Sequence, residues 1–273
     1  MQTQSEKGLA FRALHERAGA FIIPNPWDVG SARLLAHLGF EALASTSSGF
    51  AFSIGRTDHA VEQPRMMEHL AALAAASDLP VSADLENGFG DDPKTVAETI
   101  RLAAAAGVVG GSIEDSTDRC EQPIYDLKLA VERIRAAAAV ARSLHFPFML
   151  TGRAENYLHG RPDIKDTITR LQAYQDAGAN VLYAPGLTTR EDISAVVRSV
   201  DRPVNVLMGL PRVKLNLAEL SSMGVKRISV GSALCRAALG AFLRAAREMH
   251  EQGTFTFGFD AADGKEMNAI FSR

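Results

Sequence analysis

Residues 80–115 read PVSADLENGFGDDPKTVAETIRLAAAAGVVGGSIED. A short apolar run ends in Asp84, a glycine-rich turn carries Glu86, and Asp92-Pro93 opens an Ala- and Leu-rich stretch that stops at Gly107. Asp before Pro places a capping side chain ahead of a first helical position where a missing N–H costs nothing. Gly107 supplies the left-handed residue that ends such a helix. The stretch is therefore one strand, one helix and the start of the next strand. The same stop recurs at Gly39, Gly178 and Gly224, and Asp163 offers another helix cap. Eight apolar runs predict strands at residues 21–25, 42–46, 80–84, 108–114, 147–153, 180–184, 203–208 and 226–230. Most are too short and too continuously apolar to be anything but buried strands. Helical periodicity fills segments such as 60–76, 93–106, 125–144, 164–177 and 233–250. Repeated βα units of this number predict a (β/α)8 TIM-type barrel rather than a doubly wound sheet. Residues 1–273 are expected to form one barrel domain, with 251–273 as a C-terminal extension and a short helix near 265–271.

The 273 residues carry 29 Lys plus Arg against 32 Asp plus Glu, a formal charge of -3 that leaves no electrostatic footprint for nucleic acid or an anionic membrane. Cys120 and Cys235 follow no CxxC or zinc spacing, so reduced thiols are expected. A polar N-terminus and the lack of any run near the ~20 apolar residues of a membrane span predict a cytoplasmic protein. GxGxxG, Walker A and GxSxG patterns are absent, which removes sequence support for nicotinamide, P-loop and α/β-hydrolase chemistry.

Barrel active sites lie at the C-terminal ends of the strands. Asp84 and Glu86 leave strand three there, Glu114 and Asp115 leave strand four, and Arg153 and Glu155 leave strand five. Carboxylates meeting at one mouth repel unless a cation sits among them. A hard dication, Mg2+ or Mn2+, fits an all-oxygen set without histidine. The alternative is that these acids cap helices or pair with arginines on the rim. Residues 44–50 read as a small polar turn whose backbone N–H groups suit a substrate carboxylate, or as a plain serine-rich loop. Gly231-Ser232 offers a weak phosphate site. Trp27, Tyr183, Asn205 and Met208 either shape the pocket or pack, and Tyr157, His159 and Arg161 belong to a lid or a solvated loop.

The order of Asn25-Pro26-Trp27-Asp28, Ser31-Ala32-Arg33, Thr46-Ser47-Ser48-Gly49, Gly55-Arg56-Thr57-Asp58, the 84–90 turn and Ile113-Glu114-Asp115 resembles the isocitrate lyase and phosphoenolpyruvate mutase superfamily. The resemblance runs from about residue 20 to about residue 235. It implies a (β/α)8 barrel whose last helix is exchanged between subunits, in a homodimer or homotetramer that uses Mg2+ on small oxo or hydroxy acids. It places the metal on Asp84, Glu86 and Glu114 with Asp58 nearby, the substrate carboxylate on Ser47, Ser48 and Gly49, and a strand-five arginine at Arg153. Glu86 departs from the more usual Asp at its position. The Lys-Lys/Arg-Cys-Gly-His gating loop of the tricarboxylate lyases is replaced by a shorter stretch, residues 116–123, where Asp118 and Glu121 oppose a reactive thiolate at Cys120.

Without that acid, decarboxylation of a β-oxo acid, which takes its proton from water, is less affected than retro-aldol cleavage. The sequence thus predicts an Mg2+-dependent lyase breaking a carbon–carbon bond in a small 2-oxo or 2-hydroxy acid through an enolate. Asp58, Glu114 and Arg153 are the expected catalytic groups, with Trp27, Ser47, Ser48, Gly49, Arg153 and Asn205 on the substrate. The alternatives are carbon–phosphorus chemistry on phosphonopyruvate or phosphoenolpyruvate, and a non-catalytic oxo-acid-binding protein.

Overall fold

Gly39, Gly107, Gly178 and Gly224 all take positive φ, at 84°, 96°, 109° and 88°, in a computed structural model that describes residues 2–117, 119–211 and 213–272. Each lies between a helix and the next strand. Gly178 shows why no other residue serves: a Cβ there would stand 2.6 Å from Arg142 Nη1 and 2.9 Å from Ala138 Cβ. Asp92 accepts from Lys94 N at 2.8 Å, and Asp163 from Lys165 N at 2.9 Å and Asp166 N at 3.1 Å, so both expected caps form.

Helix α1 (Gln4–Glu16) precedes β1 (Phe21–Ile22) and α2 (Val29–His37). Strand β2 (Leu43–Ala44) leads through α3 (Ser47–Ser53) to α4 (Gln63–Ala75). Three regular units follow: β3 (Val81–Asp84) with α5 (Pro93–Ala105), β4 (Gly110–Glu114) with α6 (Leu127–Ser143), and β5 (Met149–Arg153) with α7 (Ile164–Ala177). Then come β6 (Val181–Tyr183) with α8 (Arg190–Ser199), β7 (Val204–Leu207) with α9 (Leu217–Ser222), and β8 (Arg227–Ser229) with α10 (Ala233–Gln252). A 3-10 turn (Thr256–Asp260) and α11 (Gly264–Phe271) end the described chain.

All eight strands are parallel in the order β1-β8-β7-β6-β5-β4-β3-β2. The seam between β1 and β2 is bridged by Ala44 N donating to Pro24 O at 3.0 Å and by Asn25 Nδ2 donating to Ser45 O at 2.9 Å. Asn25 Oδ1 also accepts from Val230 N at 2.8 Å and Gly231 N at 3.0 Å, so one side chain laces three strand ends together. The architecture is the expected (β/α)8 barrel. The ladders are shorter than the apolar runs, because the last residues of several runs leave the sheet to line the mouth.

Two elements differ from the sequence reading. Residues 4–16 form α1, whose Thr3–Glu6 capping box is complete and whose buried Phe11 packs into the core. The serine-rich segment after β2 is not a turn but the start of α3, capped by Thr46 Oγ1 accepting from Gly49 N at 3.2 Å. At the other end, α11 returns to α2, with Arg33 Cζ 5.7 Å from the centre of the Phe271 ring. Helix α10 is mostly uncovered along its 20 residues. Cys235 is its one buried residue, and Phe242 and Leu243 are 67% and 48% exposed. No helix of the described residues is long and apolar enough to cross a membrane.

Candidate active site

Arg153, at the end of β5, faces three acids from three strands. Its Nη1 lies 3.0 Å from Glu114 Oε2 and 3.5 Å from Asp84 Oδ1, and its Nε donates to Glu155 Oε1. Burial works against each charge in this group. It pushes the Glu114 carboxyl well above the usual carboxylate range, more than Arg153 pulls it down, and it raises Glu155 likewise. The acids outweigh burial at Arg153 and hold its guanidinium firmly protonated. The neighbouring Glu155 and Asp84 charges add to the rise at Glu114.

Asp84 is half-buried and turned to the mouth. Its Oδ2 accepts from Ser47 N and Ser47 Oγ, each at 3.0 Å, while Ser45 Oγ accepts from Asp84 N at 2.8 Å. Ser47 Oγ also lies 3.3 Å from Asp58 Oδ1. The first turn of α3 therefore ties Asp84 to Asp58 rather than presenting all its donors to a ligand. Glu86 sits at φ 50°, a left-handed conformation uncommon outside glycine and costly for a non-glycine residue. One of its oxygens, Oε2, is 3.6 Å from His59 Nδ1; the other, Oε1, is buried without a partner. Burial raises its proton affinity, and Asp84 and Asp58 raise it further.

Behind this mouth Asp115 faces away from it. Its Oδ2 accepts from Tyr174 Oη at 2.6 Å and Arg170 Nη1 at 3.1 Å, and its Oδ1 accepts from Glu155 N at 2.8 Å. Asp115 is thus a support that fixes the backbone of Glu155. Arg133 fastens the turn after β3 by donating to the carbonyls of Asn87, Gly90 and Asp91.

A cavity of about 190 Å3 opens at this end of the barrel. Its walls include Ser47, Ser48, Asp58, Asp84, Arg153, Tyr183 and Asn205, and it descends past Ser82, Ser112 and Ser229 to Arg227. Six of the residues expected at the site therefore share one space. Glu86 and Glu114 stand behind its wall. Trp27 and Gly49 also lie outside the lining: they pack together, since a Cβ on Gly49 would come within 3.1 Å of Trp27 Cβ and 2.6 Å of Thr46 Cγ2. Met208 is core, and Gly231 and Ser232 border the cavity.

The rim-pairing alternative describes Glu114 and Asp115, both salt-bridged to arginine. No three His, Cys, Asp or Glu side chains among the described residues are drawn close enough to cage a metal. The donors nevertheless fit Mg2+, which keeps several waters and takes only one or two carboxylates directly: Asp84 and Asp58 line the cavity, and Glu86 has an unused buried oxygen. In the shortened loop, Arg119 Nη1 pairs with Asp91 Oδ2 at 2.7 Å and Cys120 is exposed outside the cavity lining. Asp118 lies outside the described residues. Cys235 is buried, its Sγ 3.6 Å from Gly49 O.

Arg227 and the Asp115–Arg170–Tyr174 cluster were not visible as site features in the sequence. Arg227 had a usable signal, a charge inside an apolar run that predicts a buried strand.

Residues 11–250 match the family model described as phosphoenolpyruvate phosphomutase. An uncharacterised Mycobacterium tuberculosis protein, MT2054, is 32% identical over 89% of this chain and 90% of its own length. An oxaloacetate decarboxylase of Paraburkholderia xenovorans is 26% identical over 94% of this chain and 86% of its own. A crystal structure of a candidate lyase/mutase from Burkholderia cenocepacia J2315 superposes with a TM-score of 0.98 at 63% identity, covering 99% of this chain and 98% of that one.

Proposed function

The chain belongs to the phosphoenolpyruvate phosphomutase family, and from that premise we propose that it is an Mg2+-dependent lyase that breaks a carbon–carbon bond in a small 2-oxo or 2-hydroxy acid, with oxaloacetate decarboxylation as its concrete form. The observation that carries this reading is Arg153, held by acids from three strands at the edge of a cavity that also contains Asp58, Asp84 and serine hydroxyls. The similarity to an oxaloacetate decarboxylase supports the same choice.

Asp84, with Asp58, Glu86 and Glu114 through water, would hold the ion, which supplies charge stabilisation for a carbonyl oxygen that becomes negative. The Ser47 and Ser48 hydroxyls would take the substrate carboxylate. Arg153, kept protonated by its acids, presents positive charge to the oxygen where the electron pair arrives. In decarboxylation the bond to the departing carboxyl carbon breaks, CO2 leaves, and the electron pair remains on the carbon next to the oxo group. That carbon then takes a proton from water, so a cysteine acid is not required. Asp58, exposed at the rim, would orient that water.

The test is a turnover screen with Mg2+ of oxaloacetate, isocitrate, methylisocitrate and phosphonopyruvate. Expected is pyruvate release from oxaloacetate that stops on chelation. Phosphate release from phosphonopyruvate alone would replace this reading with carbon–phosphorus chemistry. Binding of oxo acids without any product would make the chain an oxo-acid-binding protein.

The bare face of α10 supports a second proposal, a homo-oligomer in which a partner copy covers Phe242 and Leu243. Sedimentation is expected to give a dimer or larger, reduced to a monomer by Phe242→Glu. A wild-type monomer would contradict it.

A further inference from the structure

We propose that Arg227, on the floor of the cavity, receives the second carboxylate of a four-carbon 2-oxo or 2-hydroxy diacid and thereby selects diacids over monoacids. The inference rests on the reading above, in which the first end of the acid sits at the mouth.

Arg227 is 5% exposed and lines the cavity. Its Nε donates to Asn205 Oδ1 at 2.8 Å and its Nη2 to Thr151 Oγ1 at 3.0 Å, while Nη1 is buried with no partner. Both partners are neutral. Asn205 is itself held by donating from Nδ2 to Ser229 Oγ at 2.9 Å, so the guanidinium is oriented but not neutralised. Burial without an acid lowers its pKa to about 10, which leaves it cationic at neutral pH. A buried ion with an unmet donor is costly unless something anionic meets it.

Arg153 has the opposite surroundings. Three acids at the mouth already engage its Nη1 and Nε, so its charge serves the end of the acid held there. Among the described residues lining the cavity, Arg227 is the other cation. It bonds to Thr151, two residues below Arg153 on the same face of β5, a step of roughly 6.6 Å along the strand. A substrate anchored at the mouth by one end would place a group one short carbon chain away at that depth. The serines between, Ser82, Ser112 and Ser229, line the path with hydroxyls and leave space for it.

Malate and lactate test this, because they differ only in the distal carboxylate. In calorimetric titrations with Mg2+ the wild-type protein is expected to prefer malate by about tenfold or more, the scale of one charge-assisted pair. Arg227→Gln should erase that preference while oxalate, which has no distal arm, binds as before. A malate preference that survives Arg227→Gln, or none in the wild type, would overturn the proposal. Because the substitution is buried, a wild-type crystal with Mg2+ and malate gives a second readout. The distal carboxylate is expected within about 3 Å of an Arg227 nitrogen, and a carboxylate on Arg153 or in solvent would also overturn it. Failure of oxalate to bind at all would instead strike the reading of the mouth.

Discussion

Replacing Arg153 with methionine is expected to destabilise the barrel by about 3–5 kcal/mol at neutral pH, the usual cost of removing one partner from a buried ion pair. The variant leaves Glu114 and Glu155, each 3% exposed, facing Asp84 with no cation between them. The effect has a pH signature. Burial already raises Glu114 and Glu155 above their ordinary values, and without Arg153 its largest opponent at both is gone. A carboxyl whose folded pKa lies above its unfolded one, about 4.3, stabilises the fold when protonated and loses that contribution as pH rises. Urea unfolding at pH 5 and pH 7.5 should therefore show the variant recovering toward wild type on the acidic side. Equal stability of the two proteins at pH 7.5 would show that the three acids do not depend on Arg153.

Local chemistry was legible from the sequence and distant pairing was not. Asp92-Pro93, Asp163 and the four glycine stops act within a few residues, and all six form as read. The Thr3–Glu6 capping box carried the same kind of signal for α1. Residues 44–50 read as a small polar turn, yet Ser47–Ser53 form α3: the Thr46 cap and burial of Phe50 and Ala51 outweigh the poor helix propensity of serine and glycine. Asp115 and Arg170 are 55 residues apart, so nothing in either segment distinguishes their pairing from a solvated charge. The sequence therefore grouped Asp115 with the mouth acids, although its carboxylate points into the barrel wall. Trp27 and Gly49, expected on the substrate, pack against each other outside the cavity lining.

The second large effect concerns Asp84, whose carboxylate joins α3, Asp58 and Arg153 at the mouth. Asp84→Asn keeps the shape and one acceptor but removes the charge that a hard dication requires. The fold should survive, because Ser47 can still donate to the amide oxygen and Arg153 retains Glu114 and Glu155. Turnover should fall by about 1,000-fold or more, since several kcal/mol of charge stabilisation come from the ion. Loss of activity together with loss of structure would weaken this assignment, so thermal unfolding belongs beside the rate.

Calorimetric titration of oxalate with and without Mg2+, on the wild type and Asp84→Asn, tests the mouth most directly. Oxalate binding that requires Mg2+ in the wild type and disappears in a folded Asp84→Asn protein is the predicted result. Binding that ignores Mg2+, or that persists unchanged in the variant, would contradict an ion held by Asp84.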